Sequence, residues 1–145
     1  MMLDLPEAKR LFLDVVKRAK KKYSFSLENF CIMGDHYHLI IRPMDGVSLS
    51  RIMQWIMSVF AMAYNRLHSL TGHCWGERFF SRIINTIQEY IKILEYIDEN
   101  PVKANLVSIA PDWPYGGLAY RRAGGGVLID PLPAYVVAFL PNYGQ

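Results

Sequence analysis

Two strand-patterned stretches lie back to back across a short turn signal, and long amphipathic helices flank them on both sides. Residues 25–33 (FSLENFCIM) alternate in polarity apart from one polar interruption. Gly34-Asp35 marks a turn, and residues 36–42 (HYHLIIR) run as a second strand up to Pro43. A hairpin is the simplest way to join them. Ahead of it, Leu11, Phe12, Val15, Val16 and Ala19 recur at three- and four-residue steps behind Pro6, which predicts a helix over residues 6–22. After it, Leu49, Ile52, Met53, Ile56, Val59, Phe60 and Ala63 give residues 48–70 a continuous apolar face, with Ser48 as N-cap and Gly72 as terminator. Residues 79–86 (FFSRIINT) read as a third strand. Thr86 then caps a helix over residues 87–99, and Pro101 opens a further turn through Leu106. The order helix, strand, strand, helix, strand, helix predicts an α+β sandwich, an antiparallel sheet with helices on one face. A ferredoxin-like layout would add a strand before the first helix, and there is no room for one ahead of Pro6.

At 145 residues, 52% of them apolar and 20% charged, the chain can bury a core of its own, which excludes a largely disordered polypeptide. No apolar run reaches the roughly 20 residues of a membrane span, and charges from Asp4 onward leave no signal-peptide core. Two cysteines, Cys31 and Cys74, are too few for a disulfide framework, so a reducing cytoplasm is the expected compartment. Beyond Pro111 the chain turns rich in Pro, Gly and Tyr, with Gly124-Gly125-Gly126 as a flexible joint. Residues 1–110 therefore read as the main domain and 111–145 as a loop-rich C-terminal tail with one apolar stretch, Tyr135–Leu140. The net charge of +3 is uneven: 10 Lys and Arg stand against 6 Asp and Glu in residues 1–72, and 6 against 7 in residues 73–145. The excess sits mostly in Lys17, Arg18, Lys20, Lys21 and Lys22, a run that more often marks a solvated helix end than a polyanion contact.

Three constellations could carry chemistry. On a strand, His36 and His38 point to the same face and could offer two nitrogens to one cation. Two such histidines can equally be surface side chains on an edge, but Leu39, Ile40 and Ile41 after them predict a central strand. Asp35 adjoins them at the turn. On a helix, Tyr96 and Asn100 lie one turn apart and present a phenol and a carboxamide together. Read singly, Tyr96 is a packing tyrosine and Asn100 a helix terminator before Pro101. The third constellation is Gly72-His73-Cys74-Trp75-Gly76-Glu77-Arg78-Phe79, a loop that can stack a base on Trp75 and pair Arg78 with a phosphate, or simply anchor a tryptophan in the core. His73 with Cys74 matches no zinc-site spacing.

In this order, the motifs resemble the single-tyrosine HUH transposases. Met33-Gly34-Asp35-His36-Tyr37-His38-Leu39-Ile40-Ile41 is similar to their histidine strand, Gly72 through Ile83 to their "G-x-x-W-x-x-R-F-x-S-x-x-I" segment, and Tyr96-Ile97-Asp98-Glu99-Asn100-Pro101-Val102-Lys103-Ala104-Asn105-Leu106-Val107 to their tyrosine helix. Asp112-Trp113-Pro114-Tyr115 resembles the motif that follows in the REP-associated branch. The resemblance implies an IS200-like catalytic domain over residues 1–110, of ferredoxin-like sandwich type. It implies a metal-dependent enzyme that nicks and joins single-stranded or hairpin DNA through a 5′-phosphotyrosine during transposition. Tyr96 would be the nucleophile, with Tyr90 as second choice. His36, His38 and Asn100 would hold Mg²⁺ or Mn²⁺, and Trp75, Arg78, Arg82 and Lys103 would lie near the DNA.

The departures carry their own expectations. The usual Pro-Asn before the first histidine is Gly34-Asp35, a change the turn should tolerate and by which Asp35 could add a carboxylate behind the histidines, and the usual Ser-Ser after the Trp-Pro motif is Gly116-Gly117. The family opens with a strand before its first helix, and here Met1 falls where that strand should end. The sheet is therefore expected to lack it and to be completed by a partner chain or by the tail. Active enzyme, hairpin-binding module without catalysis, and structural fragment are the three readings to separate. Monomer and homodimer are both compatible with the sequence.

Overall fold

In the computed structural model, residues 3–69 and 80–145 are described. Pro6 opens helix α1 (Pro6–Lys22), where its missing N–H costs nothing, and Lys20, Lys21 and Lys22 end it at the negative pole of the helix dipole. Strands β1 (Phe25–Ile32) and β2 (Tyr37–Pro43) form the expected antiparallel hairpin. Helix α2 (Leu49–Leu67) starts at Ser48, whose hydroxyl accepts from the Arg51 N–H at 3.3 Å. Helix α3 (Ile87–Lys103) starts at Thr86, which accepts from the Glu89 N–H at 3.1 Å. A 3-10 turn (Ala110–Asp112) and short helices α4 (Gly117–Arg122) and α5 (Ala134–Val137) complete the chain. The class is α+β, as expected.

The register explains how one hairpin serves two cores. Pairs Phe25↔Pro43, Leu27↔Ile41, Phe30↔Leu39 and Ile32↔Tyr37 share one face, and a bulge between Leu27 and Asn29 sets Glu28 apart. That face packs on α1 and α2 through Phe12, Val15, Val16, Ile52, Ile56 and Phe60. The Phe12 ring lies 4.8 Å from Tyr37 and 5.4 Å from Phe60, centroid to centroid, and so ties three elements together. On the opposite face, Cys31, Met33 and Ile40 meet Tyr90, Leu94 and Ile97 of α3, with Leu132 and Val136 behind them. Helices on one face thus describes α1 and α2, whereas α3 covers the other side.

Three local expectations are corrected. Residues 80–86 form no strand: Phe80 is 92% exposed and Ile83 80%, and strand propensity expresses itself only against a neighbouring edge. β2 is not central, because among the described residues it pairs with β1 alone. Helix α3 does not stop at residue 99. It continues through Pro101, which removes only one hydrogen bond near the end, to Lys103, and the expected further turn closes it, with Asn105 at a left-handed φ of 60° letting Leu106 N–H reach the Pro101 carbonyl at 2.9 Å. The expected Gly72 terminator lies outside the described residues.

The C-terminal segment supplies the outer border of β1. Ile32 N–H donates to Tyr115 O at 2.9 Å, Cys31 bridges to Gly116, Asp130 N–H donates to Leu27 O at 2.8 Å, and Leu27 N–H donates to Asp130 Oδ2 at 2.7 Å. Leu128, Ile129, Leu132 and Val136 are buried. Most of the basic run of α1 is exposed, as expected of a solvated helix end, but two of its members reach neighbouring groups. Lys20 bonds Leu128 O and Asp130, and the Arg18 guanidinium lies 5.9 Å from the Trp55 ring centre. Among the described residues, no helix is long and apolar enough to cross a membrane.

Candidate active site

The hairpin turn places the first histidine. Met33 N–H donates to His36 O at 2.9 Å, and Leu3 N–H donates to Gly34 O at 3.1 Å, pinning the turn against the start of the chain. A side chain at position 34 would displace the Asp4 carboxylate, so glycine suits the close approach. His36 and His38 then share a face as the strand period requires, with ring centroids 5.0 Å apart. His36 Nδ1 donates to Asp35 Oδ1 at 2.6 Å. Burial, reinforced by the neighbouring His36, lowers the His38 pKa and favours the neutral imidazole. Its Nε2 is buried and has no hydrogen-bond partner among the described residues.

Helix α3 brings the phenol. Tyr90, Leu94, Ile97 and Pro101 form its buried stripe, which turns Tyr96 outward, 52% exposed. The Tyr96 ring sits 5.6 Å from the His38 ring at 80°, and Lys103, two turns on, holds its Nζ 5.8 Å from the Tyr96 ring centre. Both histidines and Tyr96 line one groove of about 1140 Å³ between β2, α2, α3 and residues 80–87.

Of the expected site residues, His36, His38 and Tyr96 therefore come together, with Lys103 beside them. Asn100 lies one turn past Tyr96 on α3, but it is not part of the groove wall. Arg82 is on that wall, its guanidinium 3.0 Å from Glu89 Oε1. Trp75 and Arg78 lie outside the described residues. Tyr90 lines the same groove, but its hydroxyl donates to Glu28 Oε1 at 2.6 Å, and burial raises its pKa.

Sequence reasoning missed the groups that set the phase of α3. Glu28, buried at the bulge, accepts from Tyr90 and from Arg42 Nε at 2.7 Å, and Arg42 also donates to the Tyr135 hydroxyl at 3.1 Å. Asp98 accepts from Asn29 Nδ2 at 2.9 Å and from the Tyr143 hydroxyl at 2.5 Å, and burial raises its pKa. These two carboxylates fasten α3 on either side of Tyr96. The signal was the Glu28-Asn29 interruption in a strand that is otherwise buried. Cys31 is inert by contrast, since burial and the nearby Asp98 push its thiol up to about 12.

The IS200-like transposase family matches residues 5–100, about two thirds of the sequence, which take in α1, β1, β2, α2 and most of α3. The chain belongs to that family. It is also similar to a Haemophilus influenzae protein assigned to the REP-associated tyrosine transposases, at 26% identity over 114 residues that cover 72% of this chain and 65% of the relative. The chain thus spans just under two thirds of that relative's length. Its fold matches the solved structure of a REP-associated tyrosine transposase bound to a REP hairpin, with a TM-score of 0.71 at 21% identity. That match covers 88% of this chain and 76% of the other. The IS200-like match ends at Asn100, so the C-terminal border of β1 lies beyond the matched residues.

Proposed function

We propose that this IS200-like transposase cuts and rejoins single-stranded DNA beside a hairpin, with Tyr96 as nucleophile and a divalent cation, Mg²⁺ or Mn²⁺, held by His36, His38 and Asn100. One observation carries the reading: the exposed phenol of α3 stands against a half-buried imidazole whose buried Nε2 has no partner among the described residues. A buried polar atom without a bond is costly and calls for a ligand. Two same-face imidazoles suit a divalent transition ion, and oxygen donors from Asn100, water and phosphate suit Mg²⁺ or Mn²⁺. The Asn100 carboxamide, water and substrate oxygens would complete the set. Bound there, the cation would polarise the scissile phosphate and stabilise the departing oxygen.

The chain's own residues would do the rest. A free phenol, with a pKa of about 10, needs to be deprotonated and aimed. The packed stripe of α3 aims Tyr96, and the Lys103 ammonium places positive charge beside the ring. The phenol gives its proton to solvent, the phenolate oxygen attacks phosphorus, the bond to the 3′ oxygen breaks, and that oxygen takes up a proton from solvent. Tyr96 is left carrying the 5′ phosphate. One phosphodiester replaces another, so rejoining needs no nucleoside triphosphate. Arg82 and Lys103 would contact the phosphate backbone, with Trp75 and Arg78 on the segment between α2 and α3 as further DNA contacts. The hairpin ligand of the structurally similar transposase supports DNA as the partner.

The rival reading, a hairpin-binding module without catalysis, draws on the absence of Asn100 from the groove wall. A single experiment separates the two. Purified protein with Mn²⁺ and a single-stranded hairpin oligonucleotide should give a covalent adduct on a denaturing gel, and Tyr96→Phe should abolish it while hairpin binding persists. Binding without any adduct in wild type decides for the module.

A further inference from the structure

We infer that Asp35 is a positioning residue for the metal site: its carboxylate fixes the His36 imidazole with the proton on Nδ1, so that Nε2 is the nitrogen presented to the cation beside His38. The inference rests on the metal reading proposed above.

A carboxylate only accepts hydrogen bonds, so the 2.6 Å contact between His36 Nδ1 and Asp35 Oδ1 requires the proton to sit on Nδ1. A neutral imidazole then has its lone pair on Nε2 alone. The contact also restrains ring rotation in a side chain that is 42% exposed and has little packing to hold it. His38 needs no such device, because it is half-buried between the strand and Tyr96. The two histidines are thus oriented by different means, one by packing and one by a charged neighbour. A carboxylate on the distal nitrogen is the usual way to orient a metal-binding histidine and raise its basicity. Gly34 makes room for the turn that brings Asp35 there.

Long-range nitrogen–proton NMR of the metal-free full chain, at about pH 8 where imidazoles are neutral, reads the tautomer directly. Wild type should show His36 protonated on Nδ1. Asp35→Ala should shift it toward the Nε2-protonated form that free imidazole side chains prefer. Asp35→Asn, whose carboxamide oxygen still accepts, should keep the wild-type tautomer. Calorimetric titration with Mn²⁺ alone gives the second readout. Asp35→Ala should weaken binding about 10-fold or more, the usual cost of losing such a partner, and Asp35→Asn should recover most of that loss. An unchanged tautomer in Asp35→Ala overturns the inference. So does an Asp35→Asn variant that binds Mn²⁺ as weakly as Asp35→Ala, since Asp35 would then act by its charge or as a direct ligand. Wild type that binds no Mn²⁺ overturns the metal reading, and the tautomer measurement still judges the Asp35 contact by itself.

Discussion

The two faces of the β1–β2 hairpin have opposite chemistry. The face toward α1 and α2 carries Phe25, Leu27, Phe30, Ile32, Leu39 and Ile41, all apolar and packed around Phe12 and Phe60. The face toward α3 mixes Cys31 and Ile40 with Asn29, His36 and His38, and the bulge adds Glu28. One side holds the sheet by burial. The other holds α3 by directional bonds, and those bonds decide which of its tyrosines reaches the histidines. Apolar packing tolerates some sliding, whereas the carboxylates Glu28 and Asp98 hold particular partners at fixed distances.

The sharpest way to break this division is to remove the chemistry and look for a stability change. Tyr96→Phe should abolish the covalent adduct and leave the melting temperature unaltered, because the hydroxyl sits on an exposed ring. A large drop in melting temperature would show that the polar face also carries the fold. Phe30→Ala should do the reverse, costing about 3–5 kcal/mol in chemical denaturation by opening a cavity in the fully buried apolar face. Glu28→Gln should cost less, about 1–3 kcal/mol, as the bonds to Tyr90 and Arg42 weaken. Adduct formation per folded molecule should fall with it, which would tie the bulge to the placement of Tyr96. The smallest effect concerns pH. The Asp98 carboxyl is raised by burial, so the stability tied to its protonated form is present below the ordinary carboxylate range. That stability is lost as pH rises through the raised value. Asp98→Asn should flatten that segment of the stability–pH curve, and denaturation series at stepped pH would show an unchanged slope if Asp98 were indifferent.

Much of the fold was legible because it rests on local rules. The apolar periods of α1 and α2, the Ser48 and Thr86 caps and the Gly34-Asp35 turn each act within a few residues, and each appears where expected. Residues 80–86 were misread because strand formation depends on a neighbouring edge, which a sequence does not display. The further turn at Pro101 was expected, but that it continues α3 without a break was not, because a proline's cost depends on where in the helix it falls. At the site, His36 and His38 were legible from the strand period and Tyr96 from its helix. Asp35 was legible as a carboxylate that could stand behind the histidines, but not its bond to His36 Nδ1, and the pairing of Glu28 with Tyr90 spans 62 positions.

The sequence by itself determined the hairpin, its flanking helices and the family, since periodicity, caps and ordered motifs are properties of short segments. Tertiary structure alone decided that α3 covers the opposite face from α1 and α2, that residues 115–130 border β1, and that Tyr96 rather than Tyr90 stands beside His38. Those outcomes depend on which distant groups satisfy a buried carboxylate or a free strand edge, and such partners are chosen by packing in three dimensions.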